Sequence, residues 1–114
     1  MPNECVFCKI IAGEIPATIV YRDDRFVAIR DIHPVAPTHL LILPIRHVAS
    51  MADLEPNDDQ WIGAMYLAAA RLAAQEGLAG GYRLVTNTGP DGGQTVPHLH
   101  LHILGGRRMR WPPG

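Results

Sequence analysis

The chain has 114 residues, 47% of them apolar and 18% charged, with a formal net charge of −1. That length suits one compact domain, the composition excludes a disordered chain, and there is no basic excess to track a nucleic-acid backbone. No apolar run approaches the roughly 18 residues of a membrane span, and the opening MPNECVFCKIIAGEIP lacks the apolar core of a signal peptide, so a cytoplasmic protein is expected.

CVFCKIIAG predicts a short helix closed by Gly13. Its two cysteines, Cys5 and Cys8, have the C-x-x-C spacing that in a reducing compartment points to metal or redox chemistry rather than a structural disulfide. No thioredoxin-like βαβ pattern surrounds them, which favours metal. TIVYRDDRFVAIRD predicts a hairpin: a strand over 19–21, a turn at Asp23 and Asp24, and a strand over 26–30. IHPVAPTH holds two prolines and is expected to be a loop. LLILP, residues 40–44, predicts a buried strand. Asn57 or Asp58 can cap a long helix running to about Glu76 and ended by Gly77, with Trp61, Met65, Ala68, Ala69 and Leu72 as its buried stripe. YRLVT predicts a fourth strand, NTGPDGGQT a glycine-rich loop, and HLHLHIL, residues 98–104, a fifth strand. GGRRMRWPPG has too much Gly and Pro for regular structure, and its arginines 107, 108 and 110 suit a solvated tail. The expected fold is an α+β domain: a mostly antiparallel sheet of about five strands, with helices packed on one face.

The chemistry concentrates in TVPHLHLHILGG. His98, His100 and His102 alternate with Leu99, Leu101 and Ile103. On a strand this would put three imidazoles on one face, each about 6.6 Å from the next, and the aliphatic side chains in the core. Two chemistries want that pattern. One is a three-histidine zinc site with an open position for water. The other is attack by a neutral imidazole on phosphorus, which splits one hard displacement into two easier ones. The nearest upstream acid is Asp91, beyond a Gly pair, and no acid follows, which disfavours a zinc hydrolase. Gly92 and Gly93 let backbone N–H groups approach an anion, and Asn87 and Thr95 add neutral donors, so the loop and the histidines together make a phosphate pocket.

HLHLHILGG resembles the histidine-triad signature. DIHPVAPTHLLILP, GYRLVTNTGPDGGQTVPHLHLHILGGRRMRWPPG and FCKIIAGEIPATIVY resemble the histidine-triad nucleotide-binding branch of that family over nearly the whole chain. The resemblance implies a HIT-like fold over a single domain, residues 1–114, with one short and one long helix. It implies a homodimer with joined sheets, in which residues 107–114 reach the partner's site. It implies a hydrolase that cleaves the P–N bond of purine nucleoside 5′-monophosphoramidates. By position, His100 would be the nucleophile and His102 would donate to a phosphate oxygen. Asn87 and Gly93 would belong to the phosphate loop, and Thr95, where relatives often carry serine, would contact the phosphate and leaving group. Asp31 would bind ribose hydroxyls, Ile32, Phe26 and Ile11 would wall the base, and Trp111 would act from the tail. His33 departs from a frequent serine, and His39 matches a family histidine near the triad. Purine nucleoside monophosphates and their phosphoramidates are the implied ligands, with neither nucleic acid nor membrane as a partner. A nucleotide-binding regulatory protein with incidental hydrolysis is the alternative.

Some bacterial-type members carry two cysteines and bind zinc through them and two histidines. In this chain those positions are Cys5, Cys8, His47 and His98, so the resemblance implies a structural zinc held by the N-terminal segment, residues 1–13, and two later elements.

Overall fold

A computed structural model describes residues 4–114. The chain runs α1 (Val6–Ile11), β1 (Ile19–Arg22), β2 (Phe26–Arg30), β3 (Thr38–Pro44), two 3₁₀ turns (Met51–Asp53 and Pro56–Asp58), α2 (Asp59–Gln75), β4 (Tyr82–Val85) and β5 (Leu101–Gly105). The strands form one antiparallel sheet in the order β1-β2-β3-β5-β4, so the last strand inserts between β3 and β4. The α+β architecture, a five-stranded antiparallel sheet with one short and one long helix, is the one expected. The hairpin forms because the Asp23 carboxylate accepts from the Arg25 and Phe26 N–H groups, both at 2.7 Å, closing the turn between β1 and β2.

Strand alternation sorts the core into two layers. Phe26, Ala28, Leu40, Ile42, Leu101 and Ile103 pack with Met65, Ala68, Ala69 and Leu72 of α2. Val27, Ile29, Leu41 and Leu43 pack with Cys5, Phe7, Cys8 and Ile10 of the α1 segment. Successive side chains of a strand point to opposite faces, so the helices cover different faces of the sheet rather than one, as first expected. Small alanines on the buried stripe of α2 let that helix lie close to the strands. Trp61, expected in the stripe, is only half-buried.

Two strand starts and one helix cap differ from expectation, each for a hydrogen-bonding reason. β3 begins at Thr38, not Leu40, because Thr38 and His39 pair with Gly105 and Leu104 of β5. This moves His39 from the expected loop into the sheet. β5 begins at Leu101, not His98. The Leu99 N–H donates to the Val48 carbonyl (2.7 Å) and the His98 N–H to that of Val96 (2.9 Å), so this stretch bonds to loops instead of a ladder. Of the three histidines only His102 lies on the strand, so they do not form one regular strand face. Asp58 stands before α2 but does not cap it. Its carboxylate accepts from the Glu55 N–H (2.7 Å), the Trp61 indole N–H (2.8 Å) and the Arg46 guanidinium. These donors hold the Asp58 carboxyl down at about 2, the backbone bond first among them.

Candidate active site and metal centre

At the end of β3, four ligand-type side chains converge. Cys5 precedes α1, where its sulfur accepts from the Cys8 N–H at 3.2 Å, and Cys8 lies one turn on. His47 follows β3 and His98 precedes β5. The Cys5 Sγ is 3.3 Å from His98 Nδ1, the Cys8 Sγ 3.3 Å from His47 Nδ1 and 3.5 Å from His98 Nδ1, and the two Nδ1 atoms are 3.1 Å apart. All four ligand atoms lie within 4.8 Å of one another. The edges of a tetrahedral zinc site with two sulfur and two nitrogen ligands are roughly 3.3–3.8 Å. The His98 Nε2–H donates to the Pro44 carbonyl at 2.9 Å, which leaves Nδ1 as a lone pair aimed into the cluster. Burial, and then the neighbouring Cys5 thiol, push the Cys8 thiol up to about 11. A cation among these groups would offset both effects and favour the thiolate. The donor set therefore fits a closed tetrahedral metal site.

His98 also begins the second centre. Its backbone carbonyl accepts from the His100 Nδ1–H at 2.7 Å. In the neutral ring this leaves the lone pair on Nε2, the atom a nucleophilic imidazole needs. The Phe7 ring stands edge-on to both imidazoles, with centroids 5.9 Å from His98 and 5.1 Å from His100.

His102 is fixed from its other side. The Val35 N–H donates to His39 Nδ1 at 3.2 Å, so the neutral His39 ring carries its proton on Nε2. That Nε2–H faces His102 Nδ1 at 2.9 Å, which leaves the His102 proton on Nε2. Burial, followed by the His100 and His39 imidazoles, pushes His102 down to about 4, and burial also lowers His39 against the attraction of Asp31. His102 is thus a neutral N–H donor whose ring centroid is 5.0 Å from that of His100. The three triad rings do different jobs: His98 turns to the cysteines, His100 to a carbonyl and His102 to His39. This arrangement rules out one metal shared by all three.

A cavity of about 340 Å³ opens beside these rings. Phe7, Ile10, Ile29 and Leu41 give it an apolar wall, and Asp31, His33, Thr95, His100 and His102 give it polar groups, with the exposed Ile32 at its lip. Asp31 Oδ1 accepts from the His33 N–H at 2.8 Å, while Oδ2 lies 3.4 Å from His39 Nε2. The carboxylate is therefore held at the mouth with acceptor capacity to spare. Of the residues expected at a nucleotide site, Asp31, Ile32, Thr95, His100 and His102 are brought together here. Asn87, Gly93 and Trp111 lie outside the lining. Asn87 donates to the Gly92 carbonyl at 2.7 Å, and the Gly93 N–H donates to that of Pro90 at 3.0 Å, so both brace the loop. Gly92 is required there, since a Cβ would fall 2.3 Å from the Thr88 carbonyl oxygen. Trp111 is exposed on the tail, which the Arg83 guanidinium ties to the sheet through the Arg110 carbonyl at 2.7 Å.

Two expected wall residues need correction. Phe26 is buried on the α2 side of the sheet, away from the cavity, because the alternation that puts Ile29 on this face puts Phe26 on the other. Ile11 packs against the core beside α1, and its neighbour Ile10 lines the cavity instead. Phe7 and Gln94 went unrecognised in the sequence. The Gln94 amide donates to the Ala49 (2.7 Å) and Val96 (3.0 Å) carbonyls and accepts from the Gly89 N–H, fixing the glycine-rich loop beside Thr95. Nothing in the local sequence marks either residue, since their partners are distant in the chain.

Comparison with known proteins adds a family. The HIT domain model matches residues 12–109. A HIT-like protein of Synechococcus elongatus is 50% identical over 114 residues, the full length of both chains. The 14 kDa zinc-binding protein of Zea mays is 49% identical over 111 residues, covering 96% of this chain and 87% of that one. The crystal structure of a HIT family hydrolase from Legionella pneumophila superposes with a TM-score of 0.95 at 53% identity, covering 97% of this chain and all of the other.

Proposed function

The chain belongs to the HIT domain family, and from that premise we propose that it is a hydrolase of purine nucleoside 5′-monophosphoramidates working through a nucleotidyl-imidazole on His100. The observation that carries this is the fixed pair of neutral rings: His100 holds its proton on Nδ1 against the His98 carbonyl, beside His102 as an N–H donor.

The nucleobase lies against the apolar wall of Phe7, Ile10 and Ile29, and Asp31 accepts hydrogen bonds from the ribose hydroxyls. His100 Nε2 attacks the α-phosphorus, the P–N bond breaks, and the amine leaves after taking up one proton. The His102 Nε2–H stabilises the charge that grows on a non-bridging oxygen. Thr95 keeps a hydroxyl beside the phosphate and leaving group. Water then attacks phosphorus, the P–Nε2 bond breaks, and the water's proton balances the one taken by the amine. Asn87 and Gly93 shape the phosphate loop.

Cys5, Cys8, His47 and His98 would hold a zinc ion. With two sulfurs and two nitrogens the site is closed, so the ion supplies no water for the reaction and acts as a brace. Its thiolates suit a reducing compartment such as the cytoplasm. Residues 1–114 act as one domain in a two-fold homodimer. β4 is an edge strand, and Tyr82 on it and Tyr66 and Leu67 on α2 are exposed apolar residues that a second copy would cover. The 107–114 tail with Trp111 would then reach the partner's cavity. The direct test is turnover of adenosine 5′-phosphoramidate by wild type and His100→Ala: the variant should bind AMP and release no amine.

A further inference from the structure

The metal cluster and the cavity share one short helix. Cys5 and Cys8 face the cluster, while Val6, Phe7 and Ile10 from the same segment line the cavity. Phe7 sits between the two ligands in sequence, and its ring meets both a ligand, His98, and the attacking ring, His100. His98 makes a second connection, since its side chain faces the cluster while its backbone carbonyl holds the His100 Nδ1–H. Among the described hydrogen bonds, the α1 segment is tied to the rest of the fold by the cysteine contacts and by Arg22 donating to the Ile11 carbonyl at 3.1 Å. Apolar contacts with Val27, Ile29, Leu41 and Leu43 supply the remainder, and these are non-directional.

We infer that α1 couples the two centres: an ion on Cys5, Cys8, His47 and His98 seats Phe7 against His100 and the cavity, so that metal and nucleotide tighten each other's binding. Phe7 is a positioning residue in this scheme, acting on His100 through ring contact. The inference rests on the zinc and nucleotide readings above and adds regulation: the occupancy of a metal site remote from the phosphate sets the affinity of the nucleotide site. Linkage demands reciprocity, because the coupling free energy is one quantity seen from either ligand.

The test measures equilibrium binding to the full chain, without turnover. Zn²⁺ affinity is determined by competition with a chromophoric chelator, with and without AMP. AMP affinity is determined by calorimetry, with and without Zn²⁺. Each ligand should raise the affinity of the other by the same factor, roughly fivefold or more. Phe7→Leu keeps all four metal ligands but trims the wall against the nucleobase, so AMP should bind more weakly, and its affinity should be the same with and without Zn²⁺. If both ligands bind wild type independently, the coupling is overturned while the metal and nucleotide readings stand. If Zn²⁺ or AMP fails to bind, that reading falls and the coupling with it. Full coupling in Phe7→Leu would overturn the route through Phe7, and if that variant does not fold, the wild-type reciprocity alone decides.

Discussion

The backbone carbonyl of His98 accepts a hydrogen bond from the His100 Nδ1–H at 2.7 Å, while the His98 side chain turns the other way into the thiol cluster. One residue thereby orients the His100 ring through its backbone and gives the cluster a ring nitrogen through its side chain. The same economy recurs across the site, where His39 sets the His102 tautomer from its own bond to the Val35 N–H.

That relay predicts an order of effects. His102→Ala removes a preorganised donor and should lower kcat about 10²–10³-fold. His39→Ala leaves the donor but frees its tautomer, so the loss should be smaller and fall on kcat more than on KM. Steady-state kinetics on adenosine 5′-phosphoramidate checks both; a His39→Ala loss as large as that of His102→Ala would give His39 a direct part.

Acid should destabilise the fold through the same pair. His102 is held at about 4, below the ordinary imidazole value of about 6.5, and His39 is also lowered. Between those values the unfolded chain binds more protons than the folded one, so stability falls as the pH drops from about 6.5 through 4. The expected signature is a melting temperature that declines over this window in wild type and declines less in His102→Asn. Equal slopes would show that His102 is not the titrating group.

Metal should brace the protein more than it serves the reaction. Protein purified without chelator should carry one zinc per chain by elemental analysis, and chelation should lower the melting temperature, as loss of any ligand specific to the native state does. Ligation needs deprotonated sulfur, so affinity should weaken as pH falls. Cys8→Gly should lose the ion and retain measurable turnover. Zinc retained by Cys8→Gly would remove Cys8 from the ligand set.

Sedimentation should find a dimer at micromolar concentration. Deleting residues 107–114 should change the preference among leaving amines more than the affinity for AMP. A monomer, or an unchanged preference profile, would remove the tail from the site.

The sequence shows the kind of chemistry better than its placement. The alternation of His98 to Ile103 singles out three imidazoles, but periodicity alone does not reveal where a ladder stops. Here it stops at the Ile42–Leu101 pair, because the Leu99 N–H is taken by Val48. C-x-x-C marks a metal site from two residues. The convergence of His47 and His98 on it depends on β5 folding back beside β3, which only the family resemblance foretold. Phe7 looked like one more apolar residue of α1, and its contact with His100 spans 93 positions, beyond any local signal. The sequence likewise does not tell which face of β2 meets the cavity, because that is set by the side α2 covers, and so it does not separate Phe26 from Ile29.

A rapid-quench experiment tests the proposed covalent step on His100 directly. Wild type mixed briefly with adenosine 5′-phosphoramidate, quenched, digested and analysed by mass spectrometry should show one adenylyl group on the peptide containing His100, rising and decaying at rates that account for turnover. An adenylyl group on another residue, or normal turnover by His100→Ala, would contradict it.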